Sequence, residues 1–404
     1  MESTNFTTAY NEIIAHPIVP LEGTKLQSIH HALNILNHPE QGMEFIHVAG
    51  TNGKTSVATR IDAYLHATGL KTGLFISPHV QSPTERICIN SEPISEQDFV
   101  QYFGAVKEAL VPENAFDVLG FFDIFFLMAL LAYRDSDVDV AVIETGIGGL
   151  HDSTNVINAK TAVITHIDID HANILGNTLA QIAHQKAGII KEGAKVFSSA
   201  QVAEVKAVID EIAKYKHTGG RYVIKSDFFP NTNDVLAKTV AESYIGRGLT
   251  SSEAITANTL VRLPGKFETL PNNILLDSAH NPDGARALCQ ALSERKVGAD
   301  SLFIGVVSIS RDKDASGILK ALHPIFTKVI LTENSSERAT LANKLHDIAL
   351  QHYDATQIIV EPDFKRALNI AKSEQAKLGK NAWIVVTGSV MTAGEARELI
   401  VNNE

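Results

Sequence analysis

The chain has 404 residues, 45% of them hydrophobic and 20% charged, which fits a folded globular protein of two or three domains. Its net charge of -11 comes without a basic stripe, which argues against a nucleic-acid binder; an anion would have to be held locally by backbone amides, metal ions or a few basic side chains. The two cysteines, Cys88 and Cys289, make neither a disulfide framework nor a metal-type spacing.

The N-terminal stretch MESTNFTTAY has no basic region followed by an apolar run, so no signal peptide is expected and the reading is a cytoplasmic protein. The run FIHVA (45–49) reads as a buried strand, and HVAGTNGKTS (47–56) follows it as a strand-to-helix phosphate loop. A standard phosphate loop has a glycine where Val48 stands. Gly50 and Gly53 let the backbone approach an anion, Lys54 can reach β- and γ-phosphates, and Thr55 or Ser56 can offer a hydroxyl to Mg²⁺. In the helix that follows, Val57, Ile61 and Leu65 share a face, and Gly69 is a plausible stop.

Further along, FISPH (75–79) puts Ser77 and His79 after an apolar run. The stretch FFDIFFLMALLAY (121–133) is too short to span a bilayer and contains Asp123, so it reads as a buried helix. VDVAVIE (138–144) reads as a strand ending in Glu144 before a glycine-rich turn. TAVITH (161–166) reads as another, with Asp168, Asp170 and His171 just beyond it, and KVFSS (195–199) as a third. Lys186 sits in the apolar HQKAGIIKEG, where a lysine snorkelling to water is the ordinary reading and a modified lysine the sharper one. Ser77, Glu144 and His171 each have an ordinary reading as turn or solvated residues. In a parallel α/β sheet, however, ligands bind beyond the carboxyl ends of the strands, so the three should meet the phosphate loop in one crevice. A hydroxyl, a carboxylate and phosphate oxygens suit Mg²⁺, and a histidine suits it less well.

LPGKFETLP (263–271), with two prolines and a glycine, reads as a linker after a domain spanning 1–262. Beyond it, NILLD (273–277), SLFIGVV (301–307), TKVILT (327–332), TQIIV (356–360) and AWIVVT (382–387) alternate with helical stretches, giving a smaller α/β domain over 272–404. The fold class is therefore α/β: an N-terminal P-loop ATPase domain with a mostly parallel sheet, and a smaller C-terminal Rossmann-like domain.

Taken in order, HVAGTNGK, SPHVQSPTERI, IETGIGG with DSTN, DHANILGNTLAQIAHQKAGIIK, LPGKFE, DSAHNPDGA, DKD and VVTGS resemble folylpolyglutamate synthase and dihydrofolate synthase, within the Mur-ligase-like ATP-dependent amide ligases. The likeness runs from the N-terminus to about residue 395. It implies ATP bound between two domains that close about the linker, two Mg²⁺ ions, and reduced folate, L-glutamate and ATP as substrates, in a monomer with no nucleic-acid or membrane partner. It assigns Thr51, Asn52, Gly53, Lys54 and Ser56 to the phosphate loop and Ser77, Glu144 and His171 to Mg²⁺. Lys186 falls on a lysine that the family carbamylates, Asn233 on a nucleotide-binding asparagine, and Lys266 on a phosphate contact. Asp277 and His280 fall near ATP and the incoming glutamate, and Arg338 and Ser389 on further motif positions. Lys54, Lys186 and His280 are the catalytic candidates.

Several positions depart from the family pattern. Thr55 stands where the folate enzymes usually have glycine and resembles the cell-wall Mur ligases. Lys266 replaces an arginine, losing its planar fork. Leu150, Asp123 and Ser278 differ from the usual residues, and the stretch YVIKSDFFPNTN before Asn233 is short. Two other readings therefore stand beside the folate ligase: a ligase for a cell-wall precursor, and an ATP-binding homologue with impaired catalysis.

Overall fold

A computed structural model describes residues 5–17, 23–218, 221–224, 229–294 and 301–401. Residues 225–228 of the short stretch before Asn233 lie outside the described residues. The chain divides into two compact units, Met1–Arg262 and Leu263–Glu404.

The first unit is built on an eight-stranded sheet. Its strands are β1 (Glu44–Ala49), β2 (Thr72–Phe75), β3 (Ile87–Ile89), β4 (Glu92–Pro93), β5 (Val140–Glu144), β6 (Thr161–Ile164), β7 (Lys195–Ser199) and β8 (Arg221–Ile224). They lie in the order β4-β3-β2-β5-β1-β6-β7-β8, and all neighbours are parallel except those involving β3 and β4. β1 and β5 are wholly apolar but for His47, Glu44 and Glu144, as strands covered on both faces must be. The helix Lys54–Ala67 covers one face with Val57, Ile61 and Leu65, each fully buried, and the chain leaves it through Gly69 at φ +94°.

On the other face lies the helix Phe121–Asp135, eleven of whose residues are buried. Its acid has a structural explanation. Asp123 caps the helix start by accepting from Gly120 N at 2.8 Å, accepts from Ser153 Oγ, and pairs with buried Lys25 at 3.4 Å. No helix among the described residues is long and apolar enough to cross a membrane.

The second unit holds a six-stranded sheet of β9 (Glu268–Leu270), β10 (Ile274–Leu276), β11 (Leu302–Val307), β12 (Phe326–Glu333), β13 (Ile358–Asp363) and β14 (Ala382–Thr387), in the order β13-β12-β11-β14-β10-β9. Only β9 runs antiparallel, pairing Leu270 with Ile274. It forms inside LPGKFETLP: the turn at Pro271–Asn273 folds the segment back, with Asn272 and Asn273 at φ +60° and +55°. That stretch is thus partly sheet.

Candidate active site

Sheet register brings four strand ends of the first unit to one edge. Val48 pairs with Glu144, Ala49 with Ile164, and Phe75 with Ile143. The segments that leave β1, β2, β5 and β6 therefore begin at the same level, and these carry the phosphate loop, Ser77, Glu144 and residues 165–171.

The loop after β1 is held by the one after β6. Thr51 N and Asn52 N donate to His166 O at 2.8 and 3.3 Å, and Thr51 Oγ1 donates to Asp168 O at 2.9 Å. Gly50 leaves no room for a side chain, since a Cβ there would lie 1.8 Å from Thr165 Oγ1. Gly53 has φ +88°, and a Cβ on it would lie 2.9 Å from Asn233 Oδ1. Asn233, from the helix Phe229–Ile245, thus packs directly against the loop. The helix begins at Lys54, and Gly53 offers its first turn no side-chain cap. A bare N-terminus behind a glycine cradle has the shape and polarity that suit a phosphate.

Glu144 is 1% exposed and is gripped from two sides. Thr55 Oγ1 donates to its Oε1 and Ser77 N to its Oε2, each at 3.1 Å. A buried carboxylate with the Thr55 hydroxyl on one oxygen and the Ser77 backbone on the other offers hard oxygen donors, which fits Mg²⁺ next to a phosphate cradle. Ser56, next along the helix, is half-buried.

Lys186 is also buried, and its Nζ donates to Gly50 O at 2.7 Å. Burial and then the charge of Lys54 hold its amine well below the usual lysine range, against the opposing pull of Asp170 and Asp152. Lys54 itself reaches Thr51 O at 3.3 Å. His171 stands at φ +50° at the start of the short helix Ala172–Leu175, its amide donating to Asp170 Oδ1 at 2.8 Å. The structure thus gathers Thr51 to Ser56, Ser77, Glu144, Lys186 and Asn233, with His171 beside the Asp170 whose charge acts on Lys186.

The glycine-rich turn after Glu144 is shaped by Asp152, which accepts from Gly146 N and Ile147 N at 3.0 Å each. It packs on the end of the helix Leu179–Ala187, where a Cβ on Gly149 would lie 2.8 Å from Lys186 O. Leu150 belongs to this contact, donating its amide to Gln185 O at 2.7 Å.

In the second unit, Asp277 accepts from Phe267 N and Ala279 N at 2.9 Å each, and burial raises its pKa. Lys266 Nζ donates to Ser278 Oγ at 3.3 Å, so Ser278 gives a contact that glycine would not. His280 Nδ1 lies 3.0 Å from Ser278 O. A carbonyl only accepts, so Nδ1 carries the hydrogen and Nε2 is the ring's basic nitrogen. Lys266, Asp277 and His280 therefore cluster about Ser278. Ser389 is elsewhere occupied, in a buried network with Asn334 and Thr392 at 3.1 and 2.6 Å. Exposed Arg338 pairs with Asp312 at 2.8 Å.

Three residues were not singled out from sequence. Asp152 sits in a loop after the glycine-rich turn, and its role depends on amides that only folding brings to it. Glu85 accepts from Val80, Gln81 and Ser82 amides at 2.8, 3.0 and 2.9 Å, closing the loop after Ser77. The pattern S-P-T-E at 82–85 is a capping box and carried that signal. Arg86, beside it, is buried.

Residues 266–390 match the family model for the Mur ligase glutamate ligase domain. Over 91% of its length the chain is 34% identical to a dihydrofolate synthase/folylpolyglutamate synthase of Mycobacterium tuberculosis, covering 88% of that protein. It is 29% identical to the Bacillus subtilis protein of the same name, covering 90% of this chain and 92% of that one. The solved structure of the M. tuberculosis folylpolyglutamate synthase complexed with ADP superimposes with a TM-score of 0.89 at 31% identity, covering 98% of both chains.

Proposed function

This chain belongs to the folylpolyglutamate synthase/dihydrofolate synthase family, and we propose that it joins L-glutamate to the γ-carboxylate of a reduced folate at the expense of ATP, by way of an acyl phosphate. Dihydropteroate is a second acid of the same reaction class, as the names of the bifunctional relatives suggest. The observation that carries this reading is the buried Glu144 carboxylate, held by Thr55 and Ser77 at the mouth of a phosphate cradle.

A carboxylate and an amine do not condense at useful rates without activation. The folate carboxylate attacks the γ-phosphorus of ATP, the bond to the β-phosphate oxygen breaks, and ADP leaves. The amino group of glutamate then attacks the acyl carbon, and inorganic phosphate leaves with the electron pair of the broken C–O bond. The first step brings anions together, so its catalysis is mostly charge stabilisation and positioning. The loop amides of Thr51 to Ser56 and the Lys54 ammonium serve that end. Glu144, Ser77 and His171 would hold Mg²⁺, which, when bound, neutralises phosphate charge and orients the nucleotide.

Lys186 is suited to carbamylation. CO₂ adds to a neutral amine, and burial and then Lys54 shift this amine in the neutral direction. A carbamate would convert the position to an anion able to hold a second Mg²⁺. His280 Nε2 is suited to take the proton that glutamate's ammonium must lose. Asn233, Lys266 and Asp277 are assigned to the nucleotide.

The test is ADP release dependent on added glutamate, with tetrahydrofolate and dihydropteroate assayed side by side. Glutamate-dependent turnover with either supports the folate reading. Turnover only with a cell-wall precursor would assign the chain to the other Mur-type ligases, and nucleotide binding without turnover on any acid would mark an impaired homologue.

A further inference from the structure

A buried cation of the first unit has no part in the chemistry above. Arg86 is 7% exposed, and its guanidinium lies 4.9 Å from the ring centroid of Phe125 and 5.8 Å from that of Phe121. Nε donates to His79 Nδ1 at 2.9 Å. Among the described residues this is the guanidinium's one hydrogen bond, and it has no ion-pair partner. A guanidinium is a planar fork of five N–H donors, so both Nη groups remain to be matched. Burying such a charge unpaired is strongly unfavourable, and ring faces offset only part of that. Glu144 and Glu85 act on it from a distance, and although burial lowers its pKa to about 10, it is a cation at neutral pH.

The position of Arg86 ties it to the phosphate end of the site. Its carbonyl accepts from Ile76 N at 3.1 Å, so it is locked beside the residue preceding Ser77, whose amide holds Glu144. Phe125 beneath the fork is buried, whereas Tyr10, His79 and Phe121 about it are each only partly buried. Bracing the loop needs no charge here, because Glu85 already gathers three of its amides. A neutral side chain could donate to His79 equally well.

We propose that Arg86 receives a carboxylate of the acid substrate, its fork completing in the bound state the ion pair that the described residues leave open. A guanidinium binds a carboxylate through two parallel hydrogen bonds, and a desolvated setting strengthens them. Arg86 thereby selects an acid over its uncharged derivatives. This inference rests on the folate-ligase reading.

The test is calorimetric binding of tetrahydrofolate and of its α,γ-diamide to the full chain, with Mg²⁺ and the non-hydrolysable nucleotide AMPPCP present, for wild type, Arg86→Gln and Arg86→Lys. Wild type should prefer the acid. Arg86→Gln should bind the acid roughly 10- to 100-fold more weakly, with its affinity for the diamide and for AMPPCP unchanged. Arg86→Lys, which keeps the charge and loses the fork, should fall between; if the glutamine variant does not fold, it carries the same comparison. Equal losses for acid, diamide and AMPPCP would show a bracing role and overturn the proposal, as would wild-type affinity for the acid. If wild type binds neither compound, the folate reading itself fails and takes the proposal with it.

Discussion

Thr55 donates its hydroxyl to Glu144 Oε1 at 3.1 Å, opposite the Ser77 amide on Oε2. The residue that departs most visibly from the folate enzymes is therefore the one that sets the orientation of the carboxylate assigned to metal. Thr55→Val keeps the shape and removes the hydroxyl, so Glu144 loses the bond that positions its Oε1. Mn²⁺ binding to the AMPPCP complex, read by electron paramagnetic resonance, should weaken roughly tenfold, as expected for a lost hydrogen bond to a charged group. Thr55→Ser should retain wild-type affinity. Unchanged Mn²⁺ binding in the valine variant would remove Thr55 from this role.

Gly53 cannot be replaced without moving Asn233. At φ +88° an alanine is strained by about 1–2 kcal/mol, and its Cβ would meet Asn233 Oδ1 at 2.9 Å. Gly53→Ala should melt a few degrees lower, yet lose AMPPCP affinity by a much larger factor, because the cradle itself deforms. Calorimetric titration beside a thermal melt checks this; a variant that binds nucleotide normally would contradict the assignment of the loop.

Burial and the charge of Lys54 push the Lys186 amine down toward its neutral form, the form that reacts with CO₂. Protein equilibrated with ¹³C-bicarbonate should give a carbamate carbon signal that is absent from Lys186→Arg, since a guanidinium does not form one. Spectra identical in the two proteins would leave Lys186 a plain amine.

His47 is fully buried on β1, its Nε2 2.8 Å from Thr154 Oγ1. Burial, aided by the charge of Lys191, lowers its pKa to about 3. The unfolded chain, with a histidine pKa near 6.5, binds the proton first. Stability from this group is thus full above about pH 6.5 and is lost as pH falls toward 3, at a limiting slope of about 1.4 kcal/mol per pH unit. His47→Gln should flatten the urea-unfolding stability profile by roughly 2 kcal/mol between pH 6 and 4 relative to wild type. Parallel profiles would show that His47 is not buried as the neutral ring.

Most of the sheet framework was legible because it obeys period and run length. KVFSS and AWIVVT emerge as β7 and β14 with the same bounds, since both are apolar runs of strand length between turn residues. β2 was missed: TGLF is four residues and begins with threonine and glycine. β9 hides within the linker-like LPGKFETLP, because its prolines flank rather than interrupt a three-residue strand whose pairing depends on a turn. Within the site, Lys54 and Glu144 announce themselves through spacing after strands and glycines, whereas Lys186, inside a helix, reads as an ordinary lysine and gains a role only through the family resemblance. Asp152 and Arg86 do not announce themselves, because their roles depend on what surrounds them: two loop amides for one, two phenylalanine rings and a histidine for the other.

The central claim is that this site activates a carboxylate by phosphorylating it. Tetrahydrofolate labelled with ¹⁸O in its γ-carboxylate tests it directly, by mass analysis of the phosphate released on glutamate addition. The account predicts one ¹⁸O atom transferred to each inorganic phosphate, a transfer lost together with turnover in Lys54→Ala. Amide formation with phosphate free of the label would contradict it.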